Sequence, residues 1–338
     1  MNKRNYVLGL LIFLVLLVSA CSRSGASSGK APKTPFIGGT TGITINFEKD
    51  SPPPEVTDDG SFAFKSIIRL KNEGEHTVNK NDVRINLVGF DPDDFSSVFD
   101  DVREQSPEDT LQSKNRDAEG NIIEGNPTFA TFPKNINDFI PKQFSGNTEF
   151  TFRADVCYAY RTISNTKLCV LRDMINVRDG SICKPTGSRT VYSSSAPVQI
   201  ANFRQSVVGK DKLSFTFDVS LSGNVDIFES KDRRTPSSGF DVGCPKDPRT
   251  RREIENNVFI EIKELPNDPV FTDLKCGGLD DGSVGVVRLV NGKRTITCTV
   301  GLVRDRVDLE KVVGIEASYN VLDLKETKVL VKHLAGNP

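Results

Sequence analysis

Six cysteines, Cys157, Cys169, Cys183, Cys244, Cys276 and Cys298, are the side chains whose number and spacing point to definite chemistry. An even set of thiols in an exported chain reads as disulfides, and six thiols allow fifteen connectivities. None of the spacings is C-x-x-C, and neither His76 nor His333 lies near a cysteine in sequence, which argues against zinc. Asp91, Asp93 and Asp94 form an acidic loop that offers hard oxygen ligands of the kind calcium takes, as do Asp58-Asp59 and Asp280-Asp281. None matches the spaced D-x-[DN]-x-[DN]-G loop, so the plainer reading is solvated loop carboxylates and no metal. With only these two histidines and no G-x-S-x-G, H-E-x-x-H or glycine-rich phosphate loop, no nucleophile–base pair or cofactor site is expected. The chain reads as a non-enzyme.

The chain begins with a basic head, Asn2-Lys3-Arg4, an apolar run from Tyr6 to Val18 broken by Gly9, and then Val18-Ser19-Ala20-Cys21. Basic, apolar and small in that order is a secretory signal, and the run is too short to be read first as a permanent span. The Val-Ser-Ala-Cys ending resembles the lipobox of prokaryotic lipoproteins, whose cysteine is lipidated and becomes the first mature residue. The competing reading is an ordinary cleaved signal, or an uncleaved anchor, with Cys21 an incidental thiol. The resemblance implies 1–20 as signal peptide and 21–40 as lipidated cysteine and flexible tether. Its Gly/Ser-rich part, 22–35, would span roughly 20 Å as a coil. The folded body would then sit on the extracellular face of the membrane.

Charge excludes some partners. Lys and Arg total 44 against 45 Asp and Glu, a formal net charge of −1, so nothing suggests nucleic acid. Basic runs at Arg233-Arg234 and Arg249–Arg252 could meet anionic lipid or polysaccharide, but the plainer reading is a solvated loop, since a near-neutral chain provides no long-range steering. No usable N-glycosylation site exists, because Pro127 disqualifies Asn126-Pro127-Thr128.

The elements that position these residues read as strands. Period-two alternation marks Ile43, Ile45 and Phe47, then Phe62 to Leu70, Val83 to Leu87, Phe150 to Tyr160, Leu213 to Leu221, Val258 to Ile262 and Ile315 to Val321. Asn291-Gly292 predicts a type I′ hairpin. Residues 91–142 carry little periodicity and read as a long insertion, with a short helix near Phe95–Val102. Ser193 to Pro197 reads as a linker. The fold class is therefore all-β: two immunoglobulin-like sandwiches in tandem, disulfide-stapled, at 41–195 and 196–338. A turn centred on Ile163 would place Cys157 opposite Cys169, whereas one at Ser164-Asn165 would break that register. Three cysteines fall on each side of residue 195, so full oxidation requires a bond between the halves. The expected pairs are Cys157–Cys169, Cys276–Cys298 and Cys183–Cys244.

The ordered set Gly39–Ile43, Pro53–Val56, Leu70–Gly74, Cys157–Thr162, Cys169-Val170, Cys183, Ala196–Val198 and Gly292–Cys298 resembles uncharacterised exported proteins of small-genome archaea. That resemblance implies a second β-sandwich entered through Ala-Pro-Val and a surface location, and it implies no activity. The expected function is a non-enzymatic binding or scaffolding module whose partner is a surface or envelope protein. The alternatives are a self-assembling filament or layer subunit, and an accessory protein to an extracellular hydrolase.

Overall fold

The structure is a computed structural model that describes residues 34–134, 137–230, 243–280 and 282–334. In its first half the strands are β1 (Ile43–Phe47), β2 (Glu55–Thr57), β3 (Ser66–Asn72), β4 (Val83–Val88), β5 (Asn115–Arg116), β6 (Ile122–Ile123), β7 (Thr128–Phe132), β8 (Thr148–Val170), β9 (Gly187–Ser188) and β10 (Tyr192–Ser193). The second half adds β11 (Val198–Gly209), β12 (Lys212–Leu221), β13 (Asp226–Glu229), β14 (Asn257–Lys263), β15 (Phe271–Cys276), β16 (Val284–Arg288), β17 (Lys293–Leu302) and β18 (Leu309–Lys332). A short helix, α1 (Pro248–Ile254), is capped by the Asp247 carboxylate, which accepts from the Thr250 amide.

The chain is all-β, as its alternation predicts, and it is built around two very long strands. β8 and β18 pair antiparallel without a register break from Val170↔Leu309 to Thr148↔Val331. At 3.3 Å per residue this ladder is roughly 75 Å long. The even-numbered residues of β8, among them Phe152, Val156, Tyr158, Tyr160, Leu168 and Val170, face the main core. Cys157 on the opposite face joins Phe228, Cys244, Ile254 and Leu322 in a small second cluster, beneath α1.

The two strands come from opposite sides of residue 195. Together with β10, β14, β16, β13, β2 and β4 they form one eight-stranded sheet. β15-β17-β12-β11-β9 form a second sheet and β1-β3-β7 a third, and a continuous apolar core joins all three. The two expected halves thus share a sheet and a core.

Several local expectations are corrected. Residues 163–166 are not a turn. Thr162, Ser164 and Thr166 continue the inward stripe as hydroxyls, bonding Val198 O (2.6 Å), Ser193 Oγ (2.9 Å) and Thr190 O (2.9 Å). The polar stretch therefore stays in the strand. Ser193–Ser195 is no free linker: Ser194 Oγ accepts from the Ile163 amide (3.0 Å) and Ser195 Oγ donates to Thr41 O (3.0 Å). The insertion 91–142 is largely anchored. It holds 3-10 turns at Pro92–Phe95 and Phe99–Val102, contributes β7 to a sheet, and buries Phe95 and Phe139 against Phe64 and Phe152. Aromatic residues at irregular spacing hold it, which periodicity does not detect. Asn291 and Gly292 do take positive φ (51° and 72°), but the turn closes only a Val290–Lys293 bridge. β16 and β17 then diverge into different sheets.

Candidate functional site

All six cysteines beyond Cys21 are disulfide-bonded, with pairings that differ from those expected. The bonds are Cys157–Cys244, Cys169–Cys183 and Cys276–Cys298. Only the last matches. Cys157 and Cys169 lie on one uninterrupted strand, about 40 Å apart, so they cannot meet. Cys169 instead closes a 14-residue loop with Cys183, and Cys157 fastens the segment before α1 to the sheet. Cys276 and Cys298 face each other across β15 and β17. Cys21 and most of the expected tether lie outside the described residues, as do Arg233, Arg234 and Asp281.

The acidic loop is used locally. Asp91 Oδ1 accepts from the Asp93 amide (3.0 Å), and Asp93 pairs with Lys142 (2.6 Å). Asp94 sits in the same 3-10 turn. Asp58 accepts from the amides of Phe144 and Leu334 (2.9 Å each) and meets His333 Nδ1 at 2.8 Å. Those donors, the Phe144 amide first, hold its carboxyl down to about 2. It clamps the end of β18. Among the described residues, no three acidic, histidine or cysteine side chains converge as metal ligands.

A polar seam runs through the core where the sheets meet. Tyr160 Oη donates to Asn72 Oδ1 (3.1 Å), and Tyr319 Oη accepts from the Val198 amide (3.1 Å). Burial pushes both phenols up. Glu75 accepts from the amides of Ile37 (2.8 Å), Gly38 (2.9 Å) and Ser195 (2.8 Å), tying the entering chain to the crossing at 193–197. Gly74 is required here because a Cβ would stand 1.9 Å from Tyr160 Oη and 2.7 Å from Ser195 O. His76 packs edge-on against Tyr160, and burial lowers its pKa to about 4.

Beside this seam lies a cleft of about 450 Å³ with β1 on one wall and residues 323–325 of β18 on the other. Both walls present open backbone edges. In the β1–β3 ladder the Glu73 amide donates to Gly42 O and the Glu48 amide to Ile67 O. The bonded positions of β1 are therefore even, and the amides and carbonyls of Ile43, Ile45 and Phe47 face away from β3. Tyr158 Oη accepts from the Ile43 amide, which leaves the Ile45 and Phe47 groups facing outward.

On β18 the Leu330 amide donates to Pro54 O and Lys332 O accepts from the Asp58 amide, so even-numbered groups point away from β8. β13 covers this edge as far as Leu322, and β2 resumes at Leu330. Between them the outward groups of Leu324, Glu326 and Lys328 have no strand partner among the described residues. The Asp323 carboxylate occupies only the Leu324 amide (2.8 Å), and burial raises its pKa. The cleft thus lies between two strand edges, each of which offers unpaired backbone groups to an extended chain. Sequence reasoning missed it because an open edge depends on which strands pair, although the alternation of β1 and β18 was legible.

No family model matches the sequence, and no curated protein matches it. Among solved structures, the CupB6 tip adhesin from Pseudomonas aeruginosa is 9% identical over 86% of this chain and 97% of that chain, with a TM-score of 0.15. A likeness that slight carries no argument.

Proposed function

We propose that this chain is a lipid-anchored, non-enzymatic surface module that binds an envelope protein by strand addition. The observation that supports it most is the open edge of β18 at Leu324, Glu326 and Lys328, which begins at Leu324 in the cleft that the free edge of β1 also lines. An extended segment laid there gains main-chain hydrogen bonds from the strand edge, and pockets for alternate side chains set its specificity. Three disulfides fit an oxidising compartment, and the Val-Ser-Ala-Cys ending fits lipidation at Cys21.

The test is a photo-cross-linking amino acid at Leu324, which is 46% exposed, in cells that make the protein naturally. A discrete adduct that disappears when Glu326→Pro is added supports strand addition. An adduct that Glu326→Pro leaves unchanged refutes it. The adduct's mass separates an envelope partner from a second copy of this chain. Intact mass of the native protein tests the anchor independently, and an unmodified terminus elsewhere than Cys21 ends that part of the proposal.

A further inference from the structure

The end of the molecule where β8 finishes and β18 begins carries an unusual set of exposed aliphatic side chains. Ile175 is 61% exposed, Val177 43%, Ile182 60%, Val208 56% and Val307 61%. They sit on two loops and on the end of the β11–β12 hairpin, which one buried side chain ties together. The Arg306 guanidinium, with no exposed surface, donates to Leu171 O (2.8 Å), Val303 O (2.7 Å) and Lys210 O (2.7 Å), and pairs with Asp211 (2.8 Å).

The longer of the two loops is fixed in shape. Cys169–Cys183 closes it, and Met174 is buried beneath it. The Asp173 carboxylate accepts from the amides of Ile175 (2.9 Å) and Asn176 (3.0 Å), which hold its pKa at about 2. A braced loop that points isoleucine and valine outward is not a collapsed core fragment. Apolar surface held in this way marks an interaction site.

The place where the described chain begins identifies what covers it. Pro35 lines one cavity with Thr166, Lys167 and Val312. Lys167 pairs with Val312 three positions from the Val170–Leu309 end of the ladder, so Pro35 is roughly 10 Å from that end along the strand direction. Downstream, Gly38 lies beside Ser193, which pairs with Ser164, so traced back from Gly38 to Pro35 the chain heads toward the aliphatic loops. Cys21 is about a dozen residues before Thr34, a reach of at most roughly 45 Å. The opposite end of the ladder lies roughly 60 Å from Pro35, beyond that reach.

We infer that the end formed by loops 171–183 and 303–308 and the hairpin end 207–211 rests on the lipid surface, with Ile175, Val177 and Ile182 entering the acyl boundary. This inference rests on the reading of Cys21 as a lipid anchor. Net charge is not what draws this face down, because Arg172 and Arg178 are offset by Asp179 and Asp308. Aliphatic burial is. The orientation also directs the β1–β18 cleft, which lies farther along the ladder, away from the membrane.

The sequence contains no tryptophan, so a single introduced one reports its own surroundings. The experiment takes native, membrane-extracted protein carrying Ile175→Trp, Ile182→Trp or Val290→Trp, reconstituted in phosphatidylcholine/phosphatidylglycerol vesicles with brominated acyl chains. Val290, 60% exposed, is at the other end of β12 and β17. The expected result is a blue-shifted emission, quenched by bromine, at positions 175 and 182, with neither effect at 290. Protein that floats with the vesicles but is unquenched at 175 and 182 overturns the inference and leaves the anchor standing. A blue shift without quenching overturns it too, since protein then covers the face. Protein that does not float overturns the anchor reading and the orientation together.

Discussion

The open edge of β18 makes a sharp prediction about alternating residues, testable with two neighbouring prolines. The Thr327 amide points at β8, where its ladder partner is Phe152, a fully buried residue. Thr327→Pro removes that bond and strands a buried carbonyl. A lost hydrogen bond and an unsatisfied partner together cost about 2–4 kcal/mol. The Glu326 amide points away from β8, into the gap between β13 and β2, and the side chain is exposed. Proline is tolerated on an edge whose amide faces solvent, so Glu326→Pro changes stability by less than about 1 kcal/mol. At about 2–4 °C per kcal/mol for chains somewhat shorter than this one, Thr327→Pro lowers Tm by about 4–16 °C and Glu326→Pro by no more than about 4 °C. The assay is calorimetry of the oxidised protein. Equal destabilisation by the two prolines would falsify the assignment of the outward edge.

Gly74→Ala forces a methyl group against Tyr160 Oη and Ser195 O and costs about 3 kcal/mol in denaturant unfolding. Adding Tyr160→Phe restores only part of this, because the Ser195 carbonyl remains in the way. His76 has a folded pKa of about 4 against 6.5 for the free side chain, so the unfolded chain binds the extra proton between those values. Stability therefore falls as pH drops through that window, by about 2 kcal/mol between pH 7 and pH 5, and His76→Gln abolishes this component. Matched denaturation curves of the two proteins at both pH values measure it. Removing Cys157–Cys244, which closes 87 residues, costs about 4.6 kcal/mol in the chain-entropy treatment, against about 3.0 for the 14-residue Cys169–Cys183 loop. Cysteine-to-alanine pairs compared by urea midpoint test that order, and non-reducing peptide maps test the pairings.

Much of the architecture was legible because alternation is a local signal. Phe150 to Tyr160 and Leu213 to Leu221 announced their strands, and even cysteine number announced the bonds. What failed was non-local. The stretch Thr162–Thr166 looked like a turn because its inward residues are hydroxyls. Their spacing of two continued the stripe from Phe152 through Leu168, which was the available sign that the strand does not end. With that turn gone, the Cys157–Cys169 pairing went with it. The anchoring roles of Glu75, Asp58 and Arg306 had no sequence signature, since each depends on amides or carbonyls 35 or more residues away. The cleft was hidden for the same reason. It arises where β13 stops and β2 begins along a strand whose sequence gives no sign of the gap.

The central claim is that the outward edges of β1 and β18 accept a partner's strand. Amide hydrogen exchange tests it most directly, resolved by residue over 43–47 and 323–329, on the isolated chain and on protein extracted gently from its native membrane. Fast exchange is expected at Ile45, Phe47, Glu326 and Lys328 in the isolated chain, with Lys325 and Thr327 protected. In the native extract the outward amides become protected as well. Outward amides that exchange equally fast in both preparations, or that are already protected in the isolated chain, would contradict it.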